Sequence, residues 1–224
     1  MNLEGRIVNF LGDSITEGVG VSDIANCRYD NVLKRELGLK AVNNYGISGT
    51  RIAYQTSPSG NASFDLYFCG RVYKMDKNAD VVVVYGGTND YLHGDAPIGA
   101  DGDKTPATFY GAVYFLMNYL KQNYAGKTIV FMTPAHCCGT DGPDAYVSNN
   151  PIKREDAMPM KGYVDIIERM GVKMGIPVLN LYDNLRINPN NPEDAEKYTT
   201  DGLHFNDDGH KVIAELLADF LKAL

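Results

Sequence analysis

Short runs of apolar, mostly β-branched residues alternate along the chain with longer stretches whose apolar positions recur at helical spacing. Arg6–Leu11, Lys40–Asn44, Asp80–Tyr85, Lys127–Thr133 and Pro177–Leu181 are the predicted strands. Several are apolar at consecutive positions, the pattern of strands covered on both faces. Between them the spacing predicts helices over Asn26–Leu37, Thr105–Tyr124, Pro159–Met174 and Asp207–Leu224. In the second of these Phe109, Val113, Leu116 and Leu120 share a face, with Pro106 acceptable in a first turn. The last helix is the clearest. Val212, Ile213, Leu216, Leu217, Phe220, Leu221 and Leu224 form one apolar stripe, Asn206 suits the N-cap, and Asp207 and Asp208 place negative charge at the positive end of the helix dipole.

Strand followed by helix, repeated, predicts an α/β domain with a largely parallel sheet and right-handed crossovers. No internal repeat, low-complexity tract or linker divides the sequence, so residues 1–224 read as one domain. Ligands of such folds bind beyond the carboxyl ends of the strands. That directs attention to Gly12-Asp13-Ser14, Gly46-Ile47-Ser48-Gly49-Thr50, Gly86-Gly87-Thr88-Asn89-Asp90 and the stretch from Pro134 onward. Tyr54–Phe64, Leu92–Lys104 and Cys137–Glu155 are long turn-forming segments near those exits, each equally readable as a functional lid or a plain surface loop.

Composition narrows the classes. With 44% hydrophobic and 22% charged residues in 224, the chain is long enough for a substantial core. The longest wholly apolar stretches are a few residues, such as Val81–Tyr85, against the roughly 20 that a spanning helix needs. A net charge of −7 without any basic run argues against nucleic acid as a partner. Cys27, Cys69, Cys137 and Cys138 are too few for a disulfide scaffold, and the adjacent pair suits neither a zinc clamp nor a redox site, so all four are expected to be reduced thiols. The first residues carry no basic and apolar leader pattern, which gives a cytoplasmic location as the expectation, with secretion as the alternative if a leader has been removed.

Ser14 leaves an apolar strand through Gly12-Asp13, so its hydroxyl is placed at the sheet edge. Read alone it is more often a helix N-cap than a nucleophile, because a serine hydroxyl attacks only when a base takes its proton. Such a base is available in Asp201-Gly202-Leu203-His204. A local turn would let Asp201 accept from His204 Nδ1, which fixes the tautomer and leaves Nε2 for Ser14. An Asp-Gly turn before a helix is common, and His204 alone could be a surface histidine. A hydrolytic serine also needs donors for the oxyanion. Gly49 could bring its backbone N–H close, and Asn89 offers a side-chain amide; a tight turn and a cap are their ordinary alternatives.

Taken together, GDSIT with Ser14, NYGISGT with Gly49, GGTND with Asn89 and DGLH with Asp201 and His204 resemble the four motif blocks of the SGNH hydrolases, the GDSL-type esterases, in order and rough position. The resemblance runs from Arg6 to the terminal helix. It implies a flavodoxin-like three-layer α/β/α sandwich with five parallel strands. It further implies Ser14 as nucleophile and as an oxyanion donor through its own N–H, Gly49 and Asn89 as the other two donors, His204 as base and Asp201 as its orienter, with no cofactor or metal. Two departures bear on substrate and loop shape: GDSIT stands for GDSL, and Phe205 stands where proline often follows the histidine.

Asp13 is expected to hold its turn in place. His93, His136 and His210 lack metal-ligand spacing and read as structural. Fifteen tyrosines, with Tyr54 and Tyr91 close to the presumed crevice, point to a wet rim compatible with sugars. The expected activity is hydrolysis of short acyl esters, acetyl above all, on small molecules or carbohydrates. Two other readings compete: a metal-dependent phosphoesterase, in which the Asp, Asn and His blocks are ligands, and a non-catalytic flavodoxin-like binding module. Oligomeric state is not legible in the sequence.

Overall fold

The computed structural model describes residues 1–139 and 158–224. Five parallel strands, β1 (Ile7–Gly12), β2 (Ala41–Gly46), β3 (Val81–Tyr85), β4 (Thr128–Met132) and β5 (Val178–Leu179), form one sheet in the order β2-β1-β3-β4-β5. The α-helices among the described residues are α1 (Ser14–Glu17), α2 (Ile24–Cys27), α3 (Tyr29–Glu36), α4 (Phe68–Arg71), α5 (Thr88–His93), α6 (Phe109–Asn123), α7 (Met160–Met174), α8 (Leu181–Asn184), α9 (Pro192–Tyr198) and α10 (Asp207–Ala223). β1 lies between β2 and β3, with Gly12 opposite both Gly46 and Tyr85, so three strands end level along one edge.

Consecutive strand residues face opposite sides, and both sides are covered. Leu11, Val82, Val84 and Phe131 pack with Phe68 of α4, Phe109 and Leu116 of α6 and Ile167 and Met170 of α7. On the other face Val8, Phe10, Val83, Val130 and Met132 pack with Tyr29 and Leu33 of α3 and Ile213, Leu217 and Leu221 of α10. The result is the three-layer sandwich with helices on both sides of a parallel sheet. Full burial of one such aliphatic side chain contributes roughly 1.5–3 kcal/mol. Asn9 is the polar exception within β1: its amide donates to the Asp76 carbonyl and accepts from Asn43, which satisfies it inside the core.

The differences from expectation have local causes. The helix predicted over Asn26–Leu37 is two helices, broken at Arg28, which is extended (φ −64°, ψ 134°) and grips the buried Asp30 carboxylate with two nitrogens. The helix predicted from Thr105 begins at Phe109, where the Thr108 hydroxyl caps Gly111 N–H; Pro106 lies before it and accepts from Tyr54 N–H. β5 is reduced to two residues. In α10 the Asn206 side chain accepts from Gly209 N–H as expected, but Leu224 lies past the helix and is exposed. Of the segment Cys137–Glu155, positions 140–157 lie outside the described residues.

The end of β2 is pressed against α1. An added Cβ on Gly46 would lie 2.2 Å from Glu17 N and 2.6 Å from the Thr16 carbonyl carbon, both backbone atoms. Gly46→Ala is therefore expected to lower the urea midpoint of unfolding by the equivalent of about 1–3 kcal/mol. An unchanged midpoint would show that α1 does not rest on this strand.

Candidate active site

All four motif segments lie at the carboxyl edge of the sheet. β1 runs into Asp13, the N-cap of α1, whose Oδ1 accepts from Ile15 N–H at 3.1 Å; this turn presents Ser14 at the first position of the helix. Asp13 is completely buried, and burial pushes its carboxyl up to about 7, against the opposing pull of the Ile15 N–H and of the His204 and Arg71 charges.

The histidine arrives from the far end of the sequence. After α9, an antiparallel bridge between Thr199 and Phe205 closes the Asp201–His204 turn, with Gly202 in the left-handed region at φ 81°. Asp201 Oδ1 accepts from the backbone N–H of Leu203 (3.0 Å) and His204 (2.7 Å), and Oδ2 accepts from His204 Nδ1 at 2.6 Å. Partial burial raises the Asp201 carboxyl, but these hydrogen bonds from His204 and Leu203 together hold it below its ordinary value. With the Nδ1 proton committed to a carboxylate, Nε2 is the acceptor, and it stands 3.0 Å from Ser14 Oγ. The chain thus brings together Asp201, His204 and Ser14 across a sequence separation of 190. Phe205 is buried beneath the turn, filling the place its motif often gives to proline.

The other two expected residues flank this group by local structure. Gly49 follows β2 at φ 72°, and an added Cβ would strike the Phe64 ring at 2.3 Å, so only glycine fits there. Asn89 is in the first turn of α5 and donates through Nδ2 to the Thr50 carbonyl at 3.1 Å. Among the described residues, no acceptor takes the N–H of Ser14 or Gly49. These donors are free for a ligand oxygen.

Three buried residues that the sequence did not single out hold the site together. Arg71, at the end of α4, donates to the carbonyls of Gly12 (2.7 Å), Leu66 (2.9 Å) and Tyr45 and to Thr50 Oγ1 (3.1 Å), fastening β1, β2 and the Gly49 segment at one point. Burial lowers its pKa to about 10, which leaves it charged. Asp90 accepts from Ile52 and Ala53 N–H at 2.8 and 2.9 Å, tying the same segment to α5; burial raises its carboxyl to about 6. Arg51 reaches His93 and Asp65. The available signal for Arg71 was a cation inside the apolar run Phe68–Val72; Asp90 directly follows a motif residue, and nothing local betrayed Arg51.

Of the remaining candidates, His210 is fully buried on α10, where its Nδ1 accepts from Tyr29 N–H. His136 packs against Tyr182. Tyr54 is half exposed, in edge contact with Tyr67, whereas Tyr91 is not a rim residue: it is completely buried against Tyr163. Its apolar ring faces the core between α5 and α7, which explains the departure from expectation. Cys27, Cys69, Cys137 and Cys138 are free thiols. Among the described residues no three His, Cys, Asp or Glu side chains gather as metal ligands, and no helix is long and apolar enough to cross a membrane.

Comparison with known proteins gives the family of the chain. The GDSL-like lipase/acylhydrolase family matches residues 10–212, and the chain belongs to that family, among the SGNH-type hydrolases. A crystal structure of a protein from Lactobacillus plantarum is 30% identical, with 98% of each chain covered and a TM-score of 0.81. A carbohydrate acetylesterase family member from Sinorhizobium meliloti is 16% identical over 97% of this chain and 98% of its own, with a TM-score of 0.62. An acetyl xylan esterase is 23% identical over 96% and 98%, with a TM-score of 0.61. At these identities the last two share the fold. None of the curated proteins matches.

The raised Asp13 carboxyl has a consequence for stability. Its pKa is about 7 folded against an ordinary 3.8, so between those values the native state holds a proton that the unfolded chain has lost, and stability falls as pH rises through that window. Asp13→Asn keeps an acceptor for Ile15 N–H and removes the titration. Relative to wild type, this variant is expected to gain on the order of 3 kcal/mol between pH 4 and 7.5 in urea unfolding. A difference that does not vary with pH would contradict the burial of an ionisable group at this position.

Proposed function

We propose that the protein is a metal-independent serine esterase that cleaves short acyl esters, acetyl above all, through an acyl-enzyme. The observation that carries this reading is the continuous line of hydrogen bonds from Asp201 through His204 to Ser14 Oγ, with distances of 2.6 and 3.0 Å. His204 Nε2 takes the Ser14 proton as Oγ attacks the ester carbonyl; the resulting imidazolium is stabilised by Asp201 and returns the proton to the departing alcohol. Water, deprotonated by the same imidazole, then releases the carboxylic acid. The negative oxygen of each tetrahedral intermediate is received by the N–H groups of Ser14 and Gly49 and the Asn89 amide. Asp13 supports the turn without touching the substrate. The described site and the family match over residues 10–212 favour treating the chain as one catalytic unit.

The short acyl preference and a carbohydrate as the alcohol portion draw on the activities named for the two acetylesterase neighbours and on Tyr54, whose half-exposed ring offers a flat apolar face to a sugar. Ser14→Ala is expected to stay folded and to lose at least about 1,000-fold in kcat on p-nitrophenyl acetate, and the wild type to be inactivated by a fluorophosphonate. Turnover by Ser14→Ala at the wild-type rate would end the proposal. Asn89→Ala should cost about 10²–10³-fold in kcat, as loss of one oxyanion donor does. Across p-nitrophenyl esters from acetate to dodecanoate, kcat/KM should decline with chain length; a flat profile would remove the short acyl preference while leaving the serine chemistry intact.

A further inference from the structure

His93 ends α5 one helical turn after Asn89, so the two side chains share a face. Its Nδ1 lies 2.8 Å from Arg51 Nη1 and its Nε2 lies 3.0 Å from Asn89 Oδ1. The chemistry of these partners allows only one arrangement of protons. A guanidinium donates and never accepts, so Nδ1 of His93 must be the acceptor and the ring proton must sit on Nε2. Nε2–H then donates to Asn89, which requires the oxygen of that amide to face His93. The nitrogen is thereby turned to the opposite side, where one of its hydrogens reaches the Thr50 carbonyl at 3.1 Å and the second is left for a ligand. In the flipped amide, two oxygens would meet at Thr50 and an oxygen would stand where the oxyanion forms.

Arg51 is itself fixed: it is 1% exposed, its Nη2 donates to the Phe64 carbonyl (2.8 Å) and to Asp65 (2.9 Å), and the Phe64 ring packs against both Gly49 and the His93 imidazole. Burial, reinforced by the Arg51 charge, lowers the His93 pKa to about 4, which keeps the imidazole neutral near neutral pH.

We infer that Arg51 and His93 form a positioning relay that, together with the Thr50 carbonyl, holds the Asn89 amide in the polarity of an oxyanion donor. The inference rests on the esterase reading above and deepens it. Neither residue touches the substrate; both act through Asn89.

The test is a double-mutant cycle with p-nitrophenyl acetate. His93→Leu is expected to lower kcat about 10- to 100-fold, less than outright loss of the donor, with KM within about threefold of wild type. His93→Gln, whose terminal amide can donate from the position of Nε2, should restore kcat to within about fivefold of wild type. In an Asn89→Ala background, His93→Leu should have no further effect. Wild-type kcat in His93→Leu, or an equal loss whether or not Asn89 is present, would overturn the relay. A readout that needs no variant to fold is the long-range 1H–15N spectrum of the wild-type protein at pH 7, which should show His93 as the neutral Nε2–H tautomer; the Nδ1–H tautomer would equally overturn it. Turnover by Ser14→Ala would instead defeat the esterase reading, and the tautomer result stands independently of that outcome.

Discussion

A parallel sheet ends in backbone carbonyls, and where several strands stop level those carbonyls need donors or water. At the end of β1 and β2 the donor is Arg71. One buried guanidinium takes the carbonyls of Gly12 and Tyr45, the carbonyl of Leu66 and the hydroxyl of Thr50, so two strand ends and the segment after β2 are drawn to a single planar group. The rigidity of the neighbouring turns follows from it. Gly12 leads through Asp13 to Ser14, and Thr50 directly follows Gly49. Asp90 repeats the arrangement with opposite sign, a buried carboxylate gathering two N–H groups and joining the same segment to α5. Buried charge is costly unless it is hydrogen-bonded; here the bonds it makes are those that fix where the segments of Ser14, Gly49 and Asn89 stand.

The electrostatic design separates two kinds of carboxyl. Asp201, half exposed and supplied with three hydrogen bonds from its own turn, is held ionised, as a partner for an imidazole must be. Asp13, immediately beside Ser14, is buried and drifts toward its neutral form. The difference lies in solvation: the same side chain serves as an anion on the rim and as a turn-forming acceptor beneath it. It also keeps a second full negative charge away from the place where the proposed reaction would build one.

How much of this could be read from the sequence depended on the range of each interaction. Strands buried on both faces announce themselves in runs such as Val81–Val84, and their bounds came within one or two residues; only β5, with two residues, fell short of its apolar run. The terminal helix was clear because cap, dipole and stripe agree within one segment. The motif residues were legible since Ser14, Gly49 and Asn89 follow strand exits and Asp201 and His204 share one short Asp-Gly turn, and the structure brings Ser14, His204 and Asp201 into contact. Two departures were local choices between neighbouring residues: the break at Arg28, which grips the buried Asp30 carboxylate two residues on, and the start of α6 at the Thr108 cap rather than at Pro106. What escaped because the partners are remote in sequence were the burial of Tyr91 by Tyr163 and the Arg71, Asp90 and Arg51 clasps. His93 read as a structural histidine, and only its two neighbours in space give it a more particular part.

The contact between Ser14 and His204 spans nearly the whole polypeptide, and the turn that carries the imidazole leads through the Asn206 cap straight into α10. On a ribosome the hydroxyl would emerge early and wait through almost the entire synthesis for its partner, which cannot be seated until the closing helix has docked on the sheet. On the proposed mechanism, a nascent or C-terminally clipped chain would carry an inert alcohol, and the appearance of a reactive serine would mark the moment at which folding is finished.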